Sequence, residues 1–254
     1  MMPRIKPEAE VRFAAKTGFL TKEIWNEFFA EGGERWRRKQ WRLLAERGFF
    51  RIHPSRRASE VLVLNTKNKD VIAMVGDDIS APPFIAQIDH DELVTRTLLQ
   101  FLKENTIANY QTESELKRLY PLARNRRSSE EKEKYPDALI ELKSGLRISL
   151  EMELTLKSRK RYRHILRTYR ARQDADRIIF IVRSASIFES ISQAIQDTYY
   201  PILERPIGFA WLDEWTLDPL KARIDFKSFS SSWREMAVLE SASKSSATVP
   251  TRNF

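Results

Sequence analysis

The 254-residue chain carries 44 lysines and arginines against 35 acids, a formal net charge of +9. With 42% apolar residues and only seven glycines it belongs with ordered globular proteins, and its length suits one large domain or two of ordinary size. The charge favours a polyanionic partner. The absence of cysteine excludes disulfides and every thiolate-based metal or nucleophile scheme. No segment approaches the roughly 20 apolar residues that cross a bilayer, so the expectation is a soluble, cytoplasmic protein without membrane insertion.

In chain order, residues 21–30 predict an amphipathic helix, with Ile24, Trp25, Phe28 and Phe29 at helical spacing, Thr17 or Thr21 available to start it and Gly32-Gly33 to stop it. A second helix over 35–47 sets Trp36, Leu43 and Leu44 among basic residues and ends at Gly48. Residues 49–52 and 60–64 read as strands, 65–70 as a turn cluster and 71–75 as a third strand. Helix, turn, basic helix and hairpin make a winged helix-turn-helix over residues 1–80.

From Arg35 through Arg57 nine lysines and arginines face a single acid, Glu46. A charge run is ordinarily a solvated face, but this one falls where a winged helix places its recognition helix and wing. Arg35, Arg37, Arg38, Lys39, Arg42, Arg51, Arg56 and Arg57 are therefore the expected contacts to double-stranded DNA.

Residues 78–83 read as a linker, and a second domain is expected over 86–229. It comprises a helix at 89–104, a strand at 106–111, a short helix at 113–120 and a charged loop at 124–134. Strands at 138–142 and 146–154 then flank Lys143-Ser144-Gly145, the spacing of a tight antiparallel hairpin. A helix at 157–172, a strand at 177–182, a helix at 187–199 and a strand at 207–212 complete an α/β (α+β) mixed sheet with flanking helices. Residues 230–254, drifting into Ser, Ala, Lys and Thr, are expected to be a flexible tail.

In Ile148-Ser149-Leu150-Glu151-Met152-Glu153 apolar and polar residues alternate, so Glu151 and Glu153 share one side of a strand. Such a pair requires solvent, basic neighbours, a shared proton or a cation. Asp137, at the start of the pairing strand, brings a third carboxylate, and three acids suit Mg2+ or Mn2+. A cation so held activates water for phosphodiester hydrolysis. The following segment, with Arg159, Lys160, Arg161 and Arg163 and no acid through Arg172, would hold the phosphates.

Pro136-Asp137, thirteen intervening residues, then Glu151-Met152-Glu153 resembles the PD-(D/E)xK nuclease signature, with Glu153 where that signature has lysine and Lys157 further along. Joined to a winged helix, and with His90 opening the preceding helix, the chain is similar to replication-relaxation proteins and MobC-type plasmid mobilisation relaxases. The resemblance implies a restriction-endonuclease-like domain. It also implies catalytic Asp137, Glu151, Glu153 and Lys157, the three acids as metal ligands, and Glu113 or Glu115 as a further acid. The implied reaction is nicking at a transfer or replication origin, with mobilisation proteins as partners. The alternative is a non-catalytic DNA-binding replication, mobilisation or regulatory protein that retains the nuclease-like fold. Tyr110, Tyr120, Tyr135, Tyr162 and Tyr169 are candidate relaxase nucleophiles that spacing does not separate. His90, Glu113 and Glu115 have ordinary roles as caps or surface residues as their simpler reading.

Overall fold

A computed structural model describes residues 7–53, 60–76, 79–120, 134–171, 174–198, 205–227 and 229–237. The chain is mixed α/β and divides into two compact units, Met1–Arg96 and Thr97–Phe254.

The first unit opens on a helix that its dense charge conceals, α1 (Glu8–Thr17), which buries Val11, Phe13, Ala14 and Ala15. It ends at Gly18, where φ is +88° and a Cβ would lie 2.3 Å from the Ala81 carbonyl oxygen, so only glycine fits. Strand β1 (Leu20–Thr21) leads into α2 (Lys22–Phe28), and the Thr21 hydroxyl caps that helix by accepting from the Ile24 N–H at 3.2 Å. Helix α3 (Glu34–Glu46) buries Trp41 and Leu44 and stops at Gly48, whose positive φ and N–H to the Ala45 carbonyl satisfy its last turn. Strands β2 (Phe50–Ile52) and β3 (Val61–Leu64) follow, and the antiparallel sheet order is β1-β3-β2.

Two expectations change here. Residues 71–75 are not a strand but lie in helix α4 (Lys69–Val75), because the Asn68 side chain accepts the Asp70 N–H at 2.9 Å and starts a helical turn. The third strand is β1 instead. The segment read as a linker is, in its described part, packed back on α1: the Ser80 N–H bonds the Ala15 carbonyl and its hydroxyl the Lys16 carbonyl, both at 2.7 Å.

After α5 (Ile88–Lys103) the second unit builds β4 (Ile107–Thr112), α6 (Glu113–Leu119), β5 (Ala138–Leu142), β6 (Arg147–Glu153), α7 (Arg159–Ala171) and β7 (Arg177–Val182). Then come α8 (Ala185–Asp197), β8 (Ile207–Trp211), α9 (Leu212–Leu217), β9 (Arg223–Phe226) and β10 (Ser230–Ser232). The seven strands are ordered β10-β9-β8-β7-β6-β5-β4. The β6–β7 and β7–β8 pairs are parallel and the others antiparallel, so the predicted mixed sheet with flanking helices is present. The hairpin turn lies at Gly145, with φ of +87°.

One sheet face is covered by Tyr162, Ile165, Leu166 and Tyr169 of α7 and Ile187, Ile191 and Ala194 of α8, packed with Ile178, Phe180 and Val182. Elsewhere in the unit Phe101 stacks on Trp233 at 3.9 Å between centroids, with Trp215 edge-on to both. The expectation of a loose tail from 230 onward is thereby corrected for its first residues: β10 pairs with β9, and Trp233 is fully buried. Residues 238–254 lie outside the described part.

Candidate functional site: an acidic cluster closed by lysines

Strand alternation places Ser149, Glu151 and Glu153 on the side of β6 that faces α7. Parallel pairing sets Glu151 beside Phe180 and Glu153 beside Val182, and both neighbours belong to the core under α7 and α8. Glu151 is 0% and Glu153 1% exposed, so solvent is not what neutralises them. Asp137, just before β5, is tied to the same strand through its Oδ2, which accepts the Met152 N–H at 2.8 Å. The three acids singled out in the sequence are brought together.

Each carboxylate has a partner from elsewhere in the unit. Lys134 donates its ammonium to Glu151 Oε2, and the Tyr169 hydroxyl donates to Glu151 Oε1. Lys157 Nζ donates to both oxygens of Glu153, at 2.7 and 2.5 Å. The Tyr162 hydroxyl accepts the Lys157 N–H at 3.3 Å and so fixes the chain just before α7.

Burial pushes the Glu151 carboxyl up to about 8. Asp137 and Glu153 push in the same direction, and Lys134 pulls it back. Burial acts to lower the Lys134 amine, but Glu151, Asp137 and Glu153 outweigh it and hold the amine above the ordinary lysine range. Burial, with Glu153 next, also raises the Tyr162 phenol to about 12. One lysine thus stands in the field of all three acids.

Asp137, Glu151 and Glu153 have the oxygen chemistry that Mg2+ or Mn2+ requires, but as arranged they do not fit one. Among the described residues no three His, Asp or Glu side chains are placed to hold a metal together, and Glu151 and Glu153 already accept from ammonium groups. Lys157, expected to open the helix at 157–172, lies instead in the stretch between β6 and α7, with its ammonium on Glu153. Lys134 and Tyr169 were missed as partners of the acids. Tyr162 and Tyr169, seven residues apart with Ile165 and Leu166 between, follow the helical period of a buried face, a signal that was legible; Lys134 sits in a charged stretch that has no period.

The remaining candidates have local roles. Glu115 completes a capping box with Thr112, Glu113 pairs with Lys117 at 2.9 Å, and His90 Nδ1 lies 2.9 Å from Asp91 Oδ1. Tyr110, Tyr120 and Tyr135 line a separate hollow with Arg147 and Asp174, and burial, then Glu115, raises the Tyr110 phenol to about 12.

Of the basic residues, Arg35, Arg38, Lys39 and Arg42 are exposed on α3 and line one groove with Leu43. Arg38 pairs with Glu34 within the helix, and Lys39 Nζ lies 5.8 Å from the Trp36 ring centre. Arg37 is turned to the Gly32 carbonyl, at 2.8 Å, and Arg51 is exposed on β2. Arg56 and Arg57 lie outside the described residues. On α7, Lys160 and Arg161 are exposed, while Arg159 and Arg163 each approach Asp197 of α8 at 3.9 Å.

No protein-family model, curated protein or solved structure matches this chain. Among the described residues no helix is long and apolar enough to cross a membrane.

Proposed function

We propose that this chain is a duplex-DNA-binding protein whose N-terminal unit is a winged helix-turn-helix, joined to a nuclease-like α/β unit that does not itself cut. The observation that carries the reading is the exposed basic face of α3, with Arg35, Arg38, Lys39 and Arg42, on the helix that precedes the β2–β3 hairpin. A recognition helix enters the major groove with such a face, and its cations release counterions from the phosphates. The order α1, β1, α2, α3, β2, β3, with β1 paired to β3, is compatible with a winged helix. The order α5, β4, α6, β5, β6, α7, β7 is compatible with the nuclease resemblance.

The second reading is metal-assisted nicking, at a transfer or replication origin for instance, and the convergence of Asp137, Glu151 and Glu153 favours it. The neutralised carboxylates favour the non-catalytic reading. The experiment is duplex binding by fluorescence anisotropy, paired with incubation of supercoiled plasmid in Mg2+, Mn2+ or EDTA. Binding that weakens in Arg35→Ala and Arg42→Ala, with plasmid left intact, supports the proposal. Metal-dependent open-circle product that Glu151→Gln abolishes would establish the second reading. No binding by either readout would remove both.

A further inference from the structure

We infer that the acidic cluster carries its own cation: the Lys134 ammonium stands among Asp137, Glu151 and Glu153 where a divalent metal would stand, and the folded protein binds no metal there. Lys134 is well placed for this. Its side chain is 13% exposed, it bonds Glu151 directly, and its field is felt from all three carboxylates.

Other acceptor oxygens of the cluster are occupied as well. The second Glu151 oxygen takes the Tyr169 hydroxyl, both Glu153 oxygens take Lys157, and Asp137 Oδ2 takes a backbone N–H. Mg2+ and Mn2+ need several oxygens directed at one point at short range, and these oxygens are directed at different donors.

Charge gives the same answer. Even with Glu151 ionised, three carboxylates would face two ammonium groups, so a divalent ion added to the set would leave net positive charge in a buried place. Entry of a metal therefore requires Lys134 to leave, and a lysine that leaves abandons its ion pair with the buried Glu151. Conversely, a chain with an uncharged residue at 134 has three carboxylates against one ammonium and room for a cation. The cluster is a latent metal site that Lys134 keeps shut.

The test uses the full chain, first stripped with EDTA, and follows the free-Mn2+ electron paramagnetic resonance signal without DNA, so its outcome does not depend on the DNA-binding reading. The wild type and a Glu151→Gln variant should deplete the signal equally. Lys134→Met should melt lower than wild type in EDTA, regain stability with Mn2+, and bind one Mn2+ at least about tenfold more tightly than the wild type. Adding Glu151→Gln to Lys134→Met should remove that binding and restore the melting temperature in EDTA. Should Lys134→Met fail to fold, the double variant, which replaces the ion pair by neutral groups, still reports: it should fold and ignore Mn2+. A wild-type Mn2+ site that Glu151→Gln abolishes, or a Lys134→Met chain that melts like wild type in EDTA and gains no Mn2+ binding, overturns the inference.

Discussion

Tyr169 of α7 donates its phenolic hydroxyl to Glu151 of β6, and both residues are buried. This bond joins the helix to the strand at a place where neither can reach water. Removing the hydroxyl leaves one oxygen of a buried carboxyl without that donor, a loss of roughly 1–3 kcal/mol. Tyr169→Phe should therefore lower the urea midpoint with an unchanged slope, while keeping the ring that packs with Ile178 and Phe180. An unchanged midpoint would mean that the hydroxyl contributes nothing there.

Stability should fall as pH rises through the range in which Glu151 titrates. Its folded pKa, about 8, lies above the ordinary 4.5, so the protonated carboxyl favours the folded state. That contribution is complete below the unfolded value and is lost as pH passes through the folded one. Melting temperatures measured from pH 5 to 8 should decline in the wild type and decline less in Glu151→Gln. Parallel curves would exclude Glu151 as the source.

Trp233→Ala should destabilise the second unit by about 3–5 kcal/mol, the range for emptying a large aromatic from a core. The ring is fully buried, stacks on Phe101 and donates Nε1–H to the Thr106 hydroxyl at 3.3 Å. Chemical denaturation gives the value, and a change under about 0.5 kcal/mol would return residue 233 to the tail in which composition alone places it.

Gly208→Ala should also destabilise, by about 1–3 kcal/mol, because a Cβ on β8 would lie 2.7 Å from Phe226 and 2.8 Å from Ile224. A second substitution, Phe226→Leu, should recover part of the loss. Additive losses in the double variant would show that the clash is not with that ring.

On the DNA-binding reading, Arg35→Ala and Arg42→Ala should each weaken duplex binding and reduce the slope of log affinity against log salt by about 0.9 for every phosphate contact removed. Both side chains are exposed, so thermal stability should stay within about 0.5 kcal/mol of wild type. Loss of affinity without a change in slope would point to base contacts.

Most helices and central strands were legible because their patterns are local. The alternation in β6, the Gly145 turn and the helical stripe of α7 each report on neighbours a few residues away. The errors came where local preference is ambiguous or pairing is distant. Val71-Ile72-Ala73-Met74-Val75 has the β-branched composition of a strand, and it is the Asn68 cap that turns it into a helix. β1 is too short to announce itself and exists through its pairing with β3. The serine-rich β10 is held by β9 and precedes a buried tryptophan, a relation that composition does not contain. At the site, the three acids followed from alternation and strand pairing. Lys134 did not, because its partner Glu151 lies on another strand and the lysine itself precedes β5 in a stretch with no repeating pattern.

The pairing of Leu20 with Leu62 also bears on how the N-terminal unit folds. Both helices α2 and α3 lie between the two partners, so the strand cannot close until that whole stretch has been gathered in. Closure of so long a loop is slow and comes late relative to the local β2–β3 hairpin. Until it happens, Val61 and Leu62 lack their β1 partners, and they open a run of four apolar residues, Val61-Leu62-Val63-Leu64, that is a ready template for another chain. A fragment that begins after Thr21 keeps α3 but lacks β1, and should be lost to aggregation all the same.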